Sequence, residues 1–522
     1  MGSSRWLPLL IVVFYMAALL AVGFRFSRRQ TSTDRYFTAK RSIPGWATGL
    51  SLLATLISSV TFIAYPGSAY AGNWTNLVPG FMVVLVLMLA GTVMIPFFRH
   101  AIGVSAYEYF GKRFGYPARV YSSIAFSLGH FSKMGFVFYL LALTAGSMTG
   151  WNTDRLIIVV GIITVAYTLV GGIEAVVWAD VIQGFVLWIG IAICLAYLLF
   201  LPPGGPAAVL HLAWSSHKIS LGSMAPDLTK PTFLVLSLYG FFFYLQKYTA
   251  DQTIVQRYLV AKSDRAALRG IALGAALCVP VWTLFMLIGT LCWAFYRTTG
   301  EALPAYINKA DKVFPFFITT HIPAGLAGLF LAALFGAAIA NLSSDLNSLA
   351  AIGVQDYYLV LRPGATERQK LFAAKSIVAV AGLLCVVVAT LLAHTQGTAL
   401  SLWYTISGIV AGGLAGLFLL AFLCPRAGHT AAYIGIGAGV LFTAWATLTL
   451  GGGKIWDLGS FNFPLHEYMI GVIGHLVLLG AGYAASFVFP NRVPAQRELT
   501  LWAWRRNRVI SAQPSPVHQV YS

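Results

Sequence analysis

Residues 50–70 read LSLLATLISSVTFIAYPGSAY, an apolar stretch long enough to cross a lipid bilayer as a helix. Its centre carries four hydroxyl side chains, on Thr55, Ser58, Ser59 and Thr61. Pro66 and Gly67 follow, and helix breakers beside polar residues at membrane depth are typical of an unwound segment whose free carbonyls bind an ion. Hydroxyls that bond back to their own helix are the common alternative, so this stretch alone leaves both interpretations open.

The whole chain has the composition of a membrane protein. Of its 522 residues, 58% are hydrophobic and only 10% are charged, and the mean hydropathy is +0.77. Soluble domains carry more charge, so the lipid bilayer is the expected surrounding of most of the chain. The net charge of +18 falls in segments between apolar runs, which favours cytoplasmic loops facing anionic lipid and argues against a nucleic-acid partner. The five cysteines lie in apolar runs and are expected to be buried hydrophobes.

Thirteen apolar runs are candidate membrane helices, which predicts an all-α integral membrane protein. The first seven are Trp6–Phe24, Trp46–Ala69, Leu77–Ile95, Tyr121–Leu143, Leu156–Val170, Val176–Leu201 and Thr232–Val255. The other six are Gly270–Phe295, Leu326–Ile352, Leu371–Ala393, Trp403–Phe422, Ala431–Leu450 and Tyr468–Phe489.

The distribution of basic residues predicts the orientation of these spans. With the N-terminus outside and the C-terminus in the cytoplasm, most basic residues fall in inner loops, as the positive-inside rule requires. The expected location is therefore the cell inner membrane, with several membrane passes. The basic tail 490–522 is expected to be a cytoplasmic extension without a fold of its own. Catalytic signatures such as HExxH and GxSxG are missing from the sequence, so an enzyme is not expected.

The predicted spans contain charged residues, among them Lys133, Asp180, Lys247, Asp251 and Asp345, and charge there is costly and usually functional. Lys247 and Asp251, four residues apart, are expected to form a helical ion pair near the inner interface. Asp345 is expected to lie at the interface or to face the cytoplasm, with a binding role as the alternative. Lys133 is several turns from either end of its helix, and a cation facing a central cavity suits an anionic solute group. Asp180 suits a hard cation, with a helix cap as the alternative.

Three histidines, His100, His130 and His321, are scattered along the chain. They are expected to be interfacial or packing residues because no metal-ligand spacing connects them.

Five stretches together resemble the sodium/solute symporter family. They are RYFTAKRSIPGWATGLSLLAT (35–55), IPFFRHAIGVSAYEYFGKRFG (95–115), GGIEAVVWADVIQG (171–184), DQTIVQRYLVAKS (251–263) and NLSSDLNSLAAIGVQDYY (341–358). The resemblance runs from about residue 36 to 422 and implies a LeuT-type core of five plus five helices in an inverted repeat. It implies a terminal helix and basic loop (1–45), a first repeat (46–201), an outer loop (202–229), a second repeat (230–422), two further helices (423–489) and the tail (490–522).

The resemblance also implies a main sodium site. Its expected ligands are backbone or side-chain oxygens of five residues: Ala54, Ile57, Ala337, Ala340 and Asn341. The family has two adjacent serines where this chain has Ala340 and Asn341. The main site is therefore expected to be altered.

A second sodium site is implied by Asp180, Ser343 and Ser344. The serine that this site shares with the main site in the family is again Ala340 here. This second site is therefore expected to be incomplete.

The closest likeness within the family is to the bacterial sodium–sialic acid symporters, which implies a set of solute contacts. The expected contacts are Ser58, Ser59, Thr61, Gly80, Lys133 and Phe242. Polar contacts of that branch fall on Leu56 and Gly80 here, which argues against sialic acid itself. The positive charge at Lys133 keeps a carboxylated solute plausible, and a sugar is the rival.

The expected activity is therefore secondary active symport. Sodium influx would drive uptake of a small polar organic solute by alternating access, with Na⁺ as coupling ion, no organic cofactor and a monomer sufficient for transport. A proton-coupled or uncoupled carrier of the same fold is the main alternative, favoured by Ala340. A membrane sensor is a remote alternative, because the tail is too short for a signalling domain.

Overall fold

The computed structural model describes residues 6–27, 32–393, 409, 413–451 and 454–512, which are almost entirely helical. The helices up to residue 215 are α1 (Trp6–Ser27), α2 (Thr33–Thr38), α3 (Gly45–Leu56), α4 (Tyr65–Ala71), α5 (Val78–Val86), α6 (Thr92–Ala101), α7 (Tyr107–Phe114), α8 (Tyr116–Thr149), α9 (Thr153–Phe200) and α10 (Gly205–Ser215).

The second half of the chain continues in the same way. Its helices are α11 (Phe233–Ala250), α12 (Gln252–Val260), α13 (Asp264–Thr299), α14 (Val313–His321), α15 (Ala324–Ile352), α16 (Leu359–Leu361), α17 (Glu367–Ala393), α18 (Leu414–Leu423), α19 (His429–Leu448), α20 (Tyr468–Val488), α21 (Pro494–Arg497) and α22 (Leu501–Ala512). Short π-helical turns at Val60–Ala64, Leu87–Gly91 and Gly353–Tyr358 connect several of these helices.

Eight helices in the described part of the chain are long and apolar enough to cross a membrane, and a bent pair makes a ninth. The all-α membrane fold is therefore confirmed, whereas the number of thirteen spans stays a prediction. Residues 403–408 and 410–412 of the predicted span Trp403–Phe422 lie outside the described residues, and the end of the span is seen in α18. All five cysteines are buried, as predicted.

Two helical segments are broken at matching backbone angles. The first is interrupted between α3 and α4 at Ile57 (φ −98°, ψ 115°), where its two halves bend by 57°. The second is interrupted between α11 and α12 at Asp251 (φ −97°, ψ 115°). An extended residue at the corresponding place in two segments is what an internal structural repeat produces.

The predicted interruption of the first segment is present, but Pro66 and Gly67 do not cause it. Pro66 lies nine residues after Ile57, inside the helical stretch that the π-helical turn Val60–Ala64 and α4 form together. Gly67 packs closely against Asp311, since a Cβ atom on it would come within 2.2 Å of Oδ1. The break at Ile57 and Ser58 instead follows from the local hydroxyls, because Ser58 Oγ accepts the Val60 N–H.

Small residues hold α3, the half of the first segment that precedes the break, against α13. A Cβ atom on Gly49 would lie 2.7 Å from the carbonyl oxygen of Gly270, and one on Gly274 would lie 2.7 Å from that of Gly49. Such close approach of two helix backbones is the usual role of glycine in membrane bundles. It fixes α3, and with it the break at Ile57, relative to the second half of the chain.

The tail is folded where it is described, so the prediction that it lacks a fold is wrong as far as residue 512. Trp502 Nε1 donates a 2.8 Å hydrogen bond to the carbonyl of Leu423, and the rings of Trp504 and Phe97 pack edge to face at 5.6 Å. Aromatic side chains thus anchor α22 to the bundle. Residues 513–522 lie outside the described part.

Candidate functional site

A cavity lies at the first break. Its polar lining comes from the two broken segments and α8, and consists of Thr55, Ser58, Thr61, Lys133, Lys247 and Thr253. Its aromatic lining consists of Tyr65, Phe243, Tyr244 and Trp282, with Tyr65 stacked on Trp282 at 6.5 Å. Apolar faces with a few convergent polar groups are typical of small-molecule sites.

Lys133 lies in this cavity, as the sequence predicts. Its Nζ donates to Oδ1 of Asp345 at 3.0 Å, and both side chains are buried. The prediction that Asp345 lies at the interface or faces the cytoplasm is wrong. Its carboxylate is fully buried because it is the counter-charge of a cavity lysine.

The predicted ion pair between Lys247 and Asp251 is confirmed, with Nζ 2.5 Å from Oδ2. Its environment differs from the prediction. Lys247 lines the cavity, and Asp251 is buried at the second break, where its Oδ1 accepts the N–H of Thr253. The pair therefore places a second cation beside Lys133 in the cavity wall.

His130 joins the two lysine–aspartate pairs. Its Nδ1 lies 3.0 Å from Oδ1 of Asp345 and its Nε2 lies 3.0 Å from Oδ2 of Asp251. The prediction of an interfacial or packing role for this histidine is wrong, because the ring is buried between two carboxylates. His130, Lys133, Lys247, Asp251 and Asp345 form one network, which we call the ionic cluster.

One residue proposed for the main sodium site, Asn341, contacts the first break. Asn341 Nδ2 donates a 2.5 Å hydrogen bond to the carbonyl oxygen of Thr55, in the last turn of α3 between Ala54 and Ile57. Ala337 and Ala340 lie on the same helix as Asn341, α15, and both are buried. The Asn341 amide thus satisfies one carbonyl that a cation would otherwise bind.

Asn341 still offers an oxygen to a cation. Its Oδ1 is buried and accepts no hydrogen bond from the protein. An unpaired buried amide oxygen is a suitable ligand for a hard cation such as Na⁺. The residues present therefore fit sodium at the predicted place, with fewer oxygens than two serines would supply.

Two of the three residues proposed for the second sodium site, Asp180 and Ser344, contact an arginine. Arg257 Nη2 lies 3.3 Å from Oδ2 of Asp180 and 2.7 Å from Oγ of Ser344, and Ser51 Oγ donates to the same Oδ2 at 2.5 Å. Ser343 turns away and accepts a hydrogen bond from Thr168 Oγ1 at 3.1 Å. Asp180 lies well inside α9, so it is no helix cap, and its Oδ1 has no hydrogen-bond partner in the protein.

The remaining predicted solute contacts divide into three groups. Ser58 and Thr61 line the cavity. Gly80 lies behind its wall, because a Cβ atom there would come within 2.8 Å of the Trp282 ring. Ser59 and Phe242 point elsewhere: Ser59 Oγ donates to the Val137 carbonyl, and Phe242 stacks on a histidine in α20 and lines a separate apolar pocket.

Several residues of the site were not predicted as site residues from the sequence, among them Arg257, His130, Lys247, Asp251 and Asp345. For Arg257, the available signal in the sequence was the polar composition of α12. All residues of α12 are buried, although several of them are polar. For His130, the signal was its position one helical turn before Lys133 on α8.

Comparison with known proteins agrees with this geometry. The profile of the sodium:solute symporter family matches residues 36–439. The chain belongs to this family. The sodium/sialic acid symporter NanT of Aliivibrio fischeri is 33% identical over 96% of both chains, and the sodium/sialic acid symporter SiaT of Proteus mirabilis is 32% identical over 91% of this chain and 94% of its own.

Solved structures extend the similarity to three dimensions. A Na⁺-coupled sialic acid symporter in a substrate-bound, outward-open state superposes with a TM-score of 0.84, at 32% identity, over 93% of this chain and 99% of that chain. The chain is thus a multi-pass membrane transporter with the five-plus-five core. It couples sodium to the uptake of a small polar organic solute.

Proposed function

We propose that this symporter takes up a small carboxylated solute across the bacterial inner membrane, with its N-terminus outside. The observation that carries the proposal is the pair of ammonium groups, Lys133 and Lys247, in the wall of the cavity at the first break. Among the described residues that line the cavity, none is acidic. The two aspartates that balance the lysines lie behind the wall, so an anion in the cavity would meet positive charge first.

The rest of the cavity favours an acid that also carries hydroxyl groups. Ser58, Thr61 and Thr253 supply hydroxyl partners, and the Tyr65 and Trp282 rings supply apolar faces on which a sugar ring packs. The family members named above carry sialic acid, which combines these features. Because Leu56 contributes an apolar wall where a polar contact was expected, we propose a smaller or less hydroxylated acid than sialic acid.

The two breaks provide the elements that sodium can organise. A cation held by Asn341 Oδ1 and nearby carbonyls would connect α15 to the first break, directly beside the cavity. Sodium and solute would then stabilise the same arrangement, and each would raise the affinity for the other by linkage. Alternating access follows from movement of the broken segments against the remaining helices.

A carrier of the same fold that needs no sodium is the second candidate. The hydrogen bond from Asn341 Nδ2 to Thr55 favours it, because an amide already occupies one carbonyl of the predicted sodium site. The two candidates differ in a single observable, the dependence of solute binding on sodium.

The test is the thermal stability of the purified protein in sodium and in potassium, screened with carboxylates, neutral sugars and amino acids. We expect one carboxylate to raise Tm in sodium only, and Lys133→Gln to abolish this shift. Lys112→Gln, at an exposed lysine, is the matched control and should keep it. Stabilisation by a neutral sugar that persists in Lys133→Gln would overturn the carboxylate proposal, and equal stabilisation in potassium would favour the sodium-independent carrier.

A further inference from the structure

The apolar pocket that Phe242 lines is a groove on the surface of the helix bundle. Of the described residues that line it, every one except Arg505 is apolar. Leu89, Leu423 and Leu476 line it and are exposed on the outside of the bundle. Exposed leucines of a membrane transporter meet the lipid tails, which are as apolar as leucine itself. The groove therefore opens toward lipid.

The length of the groove matches the depth of one leaflet of a bilayer. Along α5, the following π-helical turn and α6, the lining runs from Val86 to Met94. A stretch of this length spans about 12 Å at the helical rise, and half of the hydrocarbon core of a bilayer is about 15 Å thick. The rings of Phe418 and Phe422 stack at 5.1 Å and form part of one wall. An acyl chain of one leaflet therefore fits along the groove.

The end of the groove beside the tail lies at the membrane surface. Trp502 donates to the carbonyl of Leu423, the last residue of α18, and the ring of Trp504 packs against Phe97. Tryptophan is enriched at the interface between membrane and water, so these two rings place the start of α22 at the level of the lipid headgroups. Arg505 follows them and is exposed, so it lies at the polar end of the groove.

The charge at this end of the groove is positive. Arg505 forms neither an ion pair nor a hydrogen bond with another described residue, whereas its neighbour Arg506 is paired with Glu498 at 2.8 Å. Residues 490–506 of the tail carry four arginines and one glutamate. Basic segments next to a membrane attract anionic lipid headgroups. The free guanidinium of Arg505 is thus placed to meet one.

We propose that the groove binds one anionic phospholipid from the leaflet on the side of the tail. An acyl chain lies against the apolar lining, and the phosphate accepts hydrogen bonds from the Arg505 guanidinium, whose planar fork suits two phosphate oxygens. A zwitterionic lipid fits less well, because none of the described lining residues is acidic and could pair with a headgroup cation. The proposal does not rest on the identity of the solute or of the coupling ion.

Helix α11 separates this groove from the solute cavity. Phe242 and Leu245 line the groove, whereas Tyr244 and Lys247, on the opposite face of the same helix, line the cavity. The second break at Asp251 follows directly after α11. A bound lipid restrains this helix, and we expect it to stabilise the folded protein with or without solute.

The headgroup contact is tested by native mass spectrometry of the full-length protein in detergent. The probe is dioleoylphosphatidylglycerol, and dioleoylphosphatidylcholine is its zwitterionic counterpart. We expect one bound phosphatidylglycerol per wild-type chain and at least about tenfold weaker binding in Arg505→Gln, because a charge-assisted hydrogen bond is lost. Arg506→Gln, on the same helix but outside the groove, should bind this lipid like the wild type. Equal binding of the two lipids to the wild type, or equal affinities in the two variants, would overturn the proposal.

The place of the acyl chain is tested by filling the groove. Ala90→Phe puts a ring into the groove, whereas Met88→Phe, in the same π-helical turn, puts one on the exposed surface outside it. We expect Ala90→Phe to lose the lipid and Met88→Phe to keep it. The same spectra count the chains in each particle. Retention of the lipid by Ala90→Phe, or a second copy of the chain bound in place of the lipid, would contradict the proposal.

Discussion

Arg257 and Asp180 form an ion pair in which both side chains are fully excluded from solvent. The same guanidinium donates to Ser344, so it stands among residues that were predicted to bind a second sodium ion. A fixed guanidinium already supplies positive charge there. The structure thus indicates that the guanidinium of Arg257 occupies the position predicted for the second sodium ion.

Loss of Arg257 should destabilise the protein strongly. Arg257→Gln leaves Asp180 buried without its counter-charge, which costs about 3–5 kcal/mol in comparable buried pairs. We expect a lower Tm and a lower yield of folded protein, measured by thermal denaturation in detergent. Arg362→Gln, at an exposed arginine, is the control. If Arg257→Gln had the same Tm as the control, the ion pair would contribute nothing to the stability of the protein.

Asn341→Ser should strengthen sodium binding. The substitution replaces the amide oxygen by a hydroxyl oxygen and removes the N–H that donates to the Thr55 carbonyl, so this carbonyl becomes free to bind the cation as well. We expect the sodium concentration for half-maximal stabilisation to fall about tenfold, which corresponds to about 1.4 kcal/mol. The measurement is a sodium titration of Tm at constant ionic strength.

Asn347→Ser is the matched control for this prediction. Asn347 is a buried asparagine of the same helix, and its Oδ1 accepts from Gln256 instead of facing the break. If Asn341→Ser and Asn347→Ser gave the same sodium titration, Asn341 would have no part in the ion site.

Gly80→Ala should weaken solute binding without unfolding the protein. Its methyl group would lie 2.8 Å from Trp282, so the ring must shift into the cavity that it lines. We expect a roughly tenfold loss of solute affinity, in line with the cost of a displaced cavity wall. Gly437→Ala meets no atom within 4 Å and should bind solute like the wild type. Equal solute affinities in the two variants would show that the position of the Trp282 ring does not depend on the missing side chain at Gly80.

The sequence predicts the membrane architecture well because hydropathy depends on local composition. The apolar runs locate most helices, and the hydroxyls of residues 50–70 indicate the first break. The second break was missed because Asp251 four residues after Lys247 reads as an ordinary helical ion pair. That pair exists, but the same aspartate also caps α12.

The network around the cavity could not be predicted, because it joins residues far apart in the chain. Arg257 and Asp180 are 77 positions apart, and His130 and Asp345 are 215 apart. Each of these side chains looks isolated in its own helix, and a single sequence does not show which helix faces point at one another. The location of Lys133 in the cavity could be predicted, because a charge deep in an apolar helix is costly and usually functional.

The most direct test of sodium-coupled uptake of an acid is transport into proteoliposomes. The labelled carboxylate that stabilises the protein in the thermal screen is supplied outside, with an inward gradient of sodium or of potassium. The account predicts uptake at least about tenfold faster with sodium for wild type and Lys112→Gln, and no gradient-driven uptake for Lys133→Gln. Equal uptake in the two gradients, or sodium-driven uptake that survives in Lys133→Gln, would contradict it.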